Sequence, residues 1–203
     1  MCDRIRRGGV ARQMESTPLD TRPSSADTTG MQNVVPRTCR ILGVDTSLRS
    51  TGVGVVEVAG NRMSVIHYGT LSNPSSRPLS ACLLAIEDGI AELIAAHHPE
   101  VVAVEGVFFA KYVRATLLLG HARGAVIAQC TRLGLPVFEY EPRRVKLAVV
   151  GQGGAAKEQV QRMVLSILNL PETPPEDAAD ALAIAICHIH NRTRIAALGA
   201  KPI

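Results

Sequence analysis

Four acidic residues carry the chemistry this sequence could perform. Asp45 closes the apolar run Ile41-Leu42-Gly43-Val44, and Glu105 closes Val101-Val102-Ala103-Val104. Both runs read as buried strands, and ligands of open α/β sheets gather at the carboxyl ends of strands. Asp177 and Asp180 stand three residues apart at the start of a helical stretch, so their carboxylates share one face. Singly, each has an ordinary explanation: a solvated loop acid for Asp45 and Glu105, a helix cap or dipole partner for Asp177 and Asp180. The stretch that follows, Ala181 to Cys187, is almost wholly apolar, which predicts a buried helix whose acids face something positive. Carboxylates brought together repel one another, and a hard divalent cation with oxygen ligands, such as Mg²⁺, relieves the repulsion. Two such ions ~3.5–4 Å apart suit phosphodiester cleavage, where they stabilise the attacking and leaving oxygens.

The elements that must position these acids follow from hydrophobic period. Arg40 to Asp45, Thr51 to Val58 and Arg62 to Leu71 read as strands, with turn chemistry at Ala59-Gly60-Asn61, and predict an antiparallel meander. Leu83, Ile86, Ile90, Leu93 and Ile94 fall on one face of a helix from Leu79 to His97. After the Glu105 strand come a helical stretch from Tyr112 to Arg132, a strand from Pro136 to Tyr140 and a short helix opening at Pro142. Gly151 to Gly154 reads as a loop. Val160, Met163, Val164, Ile167 and Leu168 mark another amphipathic helix, and Pro171 to Pro175 separates it from a last helix ending at His190. The order β-β-β-α-β-α-β-α-α predicts an α/β, ribonuclease-H-like fold: a five-stranded mixed sheet with helices on both faces.

Composition sets the bounds. The 203 residues are 46% hydrophobic, 20% charged and only 3% aromatic, which predicts one globular core built of Ala, Val, Leu and Ile. The net charge of +4 is compatible with a polyanionic partner. Residues 1–39 hold six Arg against four acids, leaving the rest of the chain only mildly basic. That stretch is rich in Ser, Thr, Pro and Arg without hydrophobic period, and reads as a disordered amino-terminal extension. Met31, shortly before the first strand, is expected to be the start of translation. Residues 191–203 read as a short basic tail, leaving 40–190 as the folded domain. Cys2, Cys39, Cys82, Cys130 and Cys187 are scattered with no zinc-type spacing, and no apolar run is long enough to span a membrane, so a reducing cytoplasm is expected.

From Arg40 to His190 the chain resembles the RuvC family of Holliday-junction resolvases. The resemblance rests on Ile41-Leu42-Gly43-Val44-Asp45, Thr51-Gly52-Val53-Gly54-Val55, Glu105-Gly106-Val107-Phe108 with Ala110-Lys111, Gly120-His121-Ala122-Arg123-Gly124, Pro136-Val137-Phe138-Glu139-Tyr140, and Asp177-Ala178-Ala179-Asp180 followed by Ala181 to Ala185. It implies that Asp45, Glu105, Asp177 and Asp180 are catalytic metal ligands, with two Mg²⁺ ions per active site for which Mn²⁺ can substitute. It further implies a homodimer that nicks two opposed strands of a four-way DNA junction symmetrically, beside the branch-migration proteins RuvA and RuvB. Phe108 matches the family aromatic that stacks on DNA near the crossover. Lys146 and Lys157 match basic positions near the active site, able to hold phosphate or stabilise developing charge. Arg114, Arg123, Arg143 and Arg144 are further phosphate-contact candidates.

The chain departs from the family pattern at Thr46-Ser47-Leu48-Arg49, where Pro-Gly-Ser-Arg is common, at Gly106 in place of Gln, and at Tyr112 in place of Asn. These changes bear on DNA sequence preference more than on the reaction. His188 and His190 are expected to face a helix carboxyl terminus rather than a metal. Asp45 with Thr51-Gly52-Val53-Gly54 also resembles the phosphate-binding hairpin of actin-like phosphotransferases and ATPases, but such enzymes need two related halves and this chain has one. A non-catalytic junction-binding protein would be expected to lack one or more of the four acids.

Overall fold

The computed structural model describes residues 38–106, 113–198 and 202–203, with side chains given outside 193–198. Apart from Thr38 and Cys39, the amino-terminal extension lies outside the described residues, as do Phe108 and Tyr112. Among the described residues five strands form one sheet: β1 (Thr38–Asp45), β2 (Ser50–Ala59), β3 (Arg62–Ser72), β4 (Val101–Glu105) and β5 (Val137–Tyr140). Their spatial order is β3-β2-β1-β4-β5. β1 to β3 are an antiparallel meander, whereas β4 runs parallel to β1 and β5 parallel to β4. This is the mixed, ribonuclease-H-like sheet that the element order predicts. The β2–β3 hairpin turns at Gly60-Asn61, with Gly60 at φ 60°.

Strand period sorts the side chains into two cores. Leu42, Val44, Val53, Val55, Val102 and Val104 face α1 (Leu79–His97) and α2 (Val113–Arg132), meeting Cys82, Ile86, Ile90 and Val126. Ile41, Val56, Val58 and Ala103 face the opposite way, against α3 (Pro142–Val150), α4 (Lys157–Ile167) and α5 (Glu176–Leu198).

α5 lies closest to the sheet, and small residues on both sides make that approach sterically allowed. Ala178, Ala179, Ala181 and Ala185 are fully buried. Opposite them, a Cβ on Gly43 would come 2.0 Å from the Ala181 carbonyl oxygen, one on Gly52 1.9 Å from that of Asp177, and one on Gly54 2.7 Å from Leu182 Cδ2. These three glycines therefore form a bare track on β1 and β2 in which the helix backbone is seated. Thr51-Gly52-Val53-Gly54 lies within β2 rather than at a turn, and its two glycines are taken up by the approach of α5, which counts against a phosphate-binding hairpin there.

The short helix expected at Pro142 runs to Val150 and ends at Gly151, where the loop was expected, and the two further helices read from the sequence follow it. Two details differ from the sequence-based expectation. Met163, expected on the buried face of α4, is 36% exposed. α5 continues to Leu198, eight residues beyond His190, so the first part of the expected tail is helix. His188 and His190 consequently sit inside a helix rather than at its end. His188 is a core residue, with Nδ1 2.9 Å from the Tyr140 hydroxyl and its ring against Phe138; burial lowers its pKa to about 4 and keeps it neutral. His190 Nδ1 lies 2.9 Å from the Ala148 carbonyl oxygen.

Candidate metal centre

Strand parity and register bring the first two acids together. Asp45 follows Ile41 and Gly43 at even steps, and Glu105 follows Ala103, so both carboxylates point to the α5 side of the sheet. β1 and β4 pair in parallel with Val44 opposite Val104, which makes Asp45 and Glu105 neighbours at the next position. The first turns of α5 end over the same strand ends and present Asp180. Asp45, Glu105 and Asp180 line one cleft of about 350 Å³, together with Pro142, Val145 and Lys146 from α3 and Lys157 and Val160 from α4.

Asp177 stands one turn earlier, at the rim. Its Oδ2 accepts a hydrogen bond from the Ser50 hydroxyl at the start of β2. Asp180 Oδ2 lies 3.0 Å from Lys157 Nζ, and the same ammonium also donates to Glu176. Among the described residues no three His, Cys, Asp or Glu side chains converge as a closed ligand set. Ser50 and Lys157 each hold one of the acids in a hydrogen bond of its own.

Electrostatics make the cleft hungry for positive charge. Burial, followed by the charges of Glu105, Asp180 and Asp177, raises the Asp45 pKa to about 7 despite Lys157 nearby. Burial and then Asp180 raise that of Glu105, opposed by Lys157 and Lys146. Asp180 is raised by burial, with its Lys157 hydrogen bond opposing. Burial alone would lower the pKa of Lys157, but its hydrogen bonds to Glu176 and Asp180 raise it on balance. Clustered carboxylates that resist ionisation in a site of hard oxygen donors are the electrostatic signature of a cation-binding centre. Three carboxylates lining one cleft supply the oxygen donors that a hard divalent cation takes.

The other sequence-predicted residues separate. Lys146 and Lys157 line the acidic cleft. Arg114, exposed on the first turn of α2, lines a different and larger cleft of about 460 Å³ with Ser47, Leu48 and Arg49. Arg49 ties the departing loop after β1 to the start of α1 by donating to the carbonyl oxygens of Pro74 at 2.6 Å and Arg77 at 3.2 Å. The structure turns Arg123 inward, where it pairs with Glu139. Arg144 is also engaged within the fold, donating to Asn191 Oδ1 at 2.7 Å and lying over the Tyr140 ring. The side chain of Arg143 packs against Gly153. Sequence reasoning missed Ser50, Glu139 and Glu176. Only Glu176, four residues before Asp180 and opposite a helix opening with Lys157, left any signal in the pattern of charges.

Comparison with known proteins places this architecture. The profile of the RuvC family, Crossover junction endodeoxyribonuclease RuvC, matches residues 41–188. The chain is 49% identical over 151 residues to the Crossover junction endodeoxyribonuclease RuvC of Citrifermentans bemidjiense, a match covering 74% of this chain and 92% of that relative. It is 50% identical over 149 residues to that of Cupriavidus pinatubonensis, covering 73% and 82%. Among solved structures, Thermus thermophilus RuvC in complex with Holliday junction substrate superposes with a TM-score of 0.74 at 35% identity, covering 81% of this chain and 99% of that one. The yeast mitochondrial Holliday junction resolvase Ydc2 shares the fold, with a TM-score of 0.59 at 12% identity over 81% of this chain and 83% of its own. The sheet order, the acids at its strand ends and these matches agree: the chain belongs to the RuvC family of crossover junction endodeoxyribonucleases.

Proposed function

We propose that this protein resolves four-way DNA junctions by paired symmetric nicks during homologous recombination and repair, with Asp45, Glu105, Asp177 and Asp180 holding two Mg²⁺ ions. The observation that carries the reading is the delivery of Asp45 and Glu105 by adjacent parallel strands to the cleft that α5 closes with Asp180. When bound, the ions supply an activated water and stabilise the charge that develops on the phosphodiester oxygens. The chain's own residues prepare for this. Ser50 fixes the rotamer of Asp177, and the bare glycine track fixes the height of α5 and thereby of both its acids. Lys157, held by Glu176, offsets acidic charge in the metal-free cleft and stands ready to meet a DNA phosphate once the acids are otherwise neutralised. Lys146 serves the same end from α3, Arg114 is a phosphate contact outside the cleft, and Phe108 stacks on a base near the crossover.

Paired nicking requires two active sites, and α2 supports a homodimer. Val113 and Leu117 are 74% and 59% exposed, and nothing lies within 4 Å of a Cβ on Gly120 or Gly124. These four residues recur at spacings of four, three and four, a helix face shaped for close packing against a second copy. No described helix is long and apolar enough to cross a membrane, and Cys82, Cys130 and Cys187 are buried thiols. Free, buried thiols fit a reducing compartment, and the family resemblance is what suggests work on chromosomal DNA in the cytoplasm beside RuvA and RuvB.

Purified protein incubated with a synthetic four-way junction should give paired, symmetric, ligatable nicks with Mg²⁺ or Mn²⁺ and none in EDTA. Tight junction binding without cuts under any divalent metal would overturn the catalytic reading.

A further inference from the structure

The backbone that carries Glu105 is anchored from outside the acidic cleft. Arg123, in the middle of α2, donates from Nε to the Glu105 carbonyl oxygen at 3.3 Å, and its terminal nitrogen forms an ion pair with Glu139 on β5. Only 16% of the Arg123 side chain is exposed. The next residue, Gly106, donates its N–H to the Tyr140 carbonyl oxygen at 2.9 Å, extending the β4–β5 ladder beyond Glu105. A Cβ on Gly106 would stand 2.7 Å from Glu139 Oε1. The absence of a side chain at 106 therefore lets Glu139 lie across the strand end and hold the guanidinium in place. α2, β4 and β5 meet at one planar group, whose fork geometry can serve a carboxylate and a carbonyl together.

From this geometry we infer that Arg123 and Glu139 are a positioning pair, which sets the place of the Glu105 carboxylate by clamping the end of β4. The inference rests on the reading of Glu105 as a metal ligand, and it removes Arg123 from the phosphate contacts. A group engaged by a carboxylate on one side and by a part-buried backbone carbonyl on the other is poorly placed to meet a polyanion. It is well placed to stop β4 from rotating its last side chain, and supports of this kind govern metal affinity without touching the metal.

The test compares Arg123→Gln, Glu139→Gln, the double variant and Arg123→Lys with the wild type, reading four quantities. These are kcat on a four-way junction at saturating Mg²⁺, the Mg²⁺ concentration giving half-maximal thermal stabilisation, the junction Kd in EDTA, and the melting temperature. Both single Gln variants should lower kcat and raise the half-maximal Mg²⁺ concentration by ~10-fold, as losses of outer supports of metal ligands do. The junction Kd should hold within about twofold, the double variant should be no worse than either single one, and Arg123→Lys should recover part of the loss. Weaker junction binding with a shallower salt dependence and unchanged Mg²⁺ response would make Arg123 a phosphate contact and overturn the inference. A lowered melting temperature with kcat and Mg²⁺ response unchanged would overturn it equally, by reducing the pair to a structural salt bridge. Glu105→Gln serves as the reference. If it cuts normally, the metal-ligand reading itself fails; if it is inactive while the Arg123 and Glu139 variants behave as wild type, only the positioning inference fails.

Discussion

Asp45 shows how function and stability oppose each other at a single residue. Its folded pKa of about 7 lies above the unfolded value of 3.8, so the folded chain binds the proton more tightly. Stability of the metal-free protein should therefore fall as pH rises from 3.8 toward 7, and the cost is complete above that window. With three pKa units between the two states, the cost at pH 8 is up to about 4 kcal/mol. In EDTA, Asp45→Asn should melt several degrees above wild type at pH 8 and level with it near pH 4. Comparing the two proteins at one pH cancels the opposite effect of His188, whose lowered pKa costs stability as pH falls below 6.5. Added Mg²⁺ should close the gap at pH 8 by stabilising the wild type alone; a wild type as stable as the variant in EDTA at pH 8 would refute the electrostatic account. The convergence of Asp45, Glu105 and Asp180 on one cleft was legible in sequence because each ends a strand or opens a helix in an otherwise apolar context. Ser50 and Glu139 gave no such signal, since only tertiary register brings these polar residues to Asp177 and Arg123.

At the scale of elements, the seat of α5 decides where Asp177 and Asp180 stand. Gly52→Ala would force a Cβ against the Asp177 carbonyl oxygen, a backbone atom that can yield only if the helix start shifts. We expect a loss of about 3 kcal/mol of stability, the upper range for overpacking a close contact, together with loss of cutting. Gly124→Ala is the contrasting case for the protomer alone. Its Cβ meets open space within α2, so in a monomeric background chemical denaturation should show a gain of up to about 1 kcal/mol from helix propensity. Equal effects at the two positions would contradict the packing account. The chain order of strands and helices, and the opening meander, were readable from period 2, period 3.6 and turn chemistry. The glycine track was visible as a motif, but its cause was hidden, since sequence does not say which helix covers which strand. The reach of α5 to Leu198 was missed because no strong stop follows His190, and the helix carries its apolar run through His188 into the core.

For the whole molecule, modest net charge places the burden of DNA recognition on shape and pairing. A charge of +4 spread over 203 residues is too small for uniform electrostatic capture, so two cleft-bearing copies joined through α2 would supply the fit to a four-armed substrate. Leu117→Glu, a charge on the exposed face, should convert a dimer to monomers in light scattering without lowering the protomer's melting temperature by more than a few degrees. Such monomers should leave single, unpaired nicks; paired nicks from a monomeric variant would exclude dimer-based symmetry. The central claim, that the acids at the strand ends hold the metal that cuts while other residues hold the DNA, is tested most directly with Asp45→Asn on a four-way junction. Cleavage in Mg²⁺ and the binding constant should be measured on the same preparation. The account predicts cutting reduced by at least ~1,000-fold, equivalent to about 4 kcal/mol of transition-state stabilisation, with junction affinity retained. Cleavage that survives the substitution, or binding lost with it, would contradict the account.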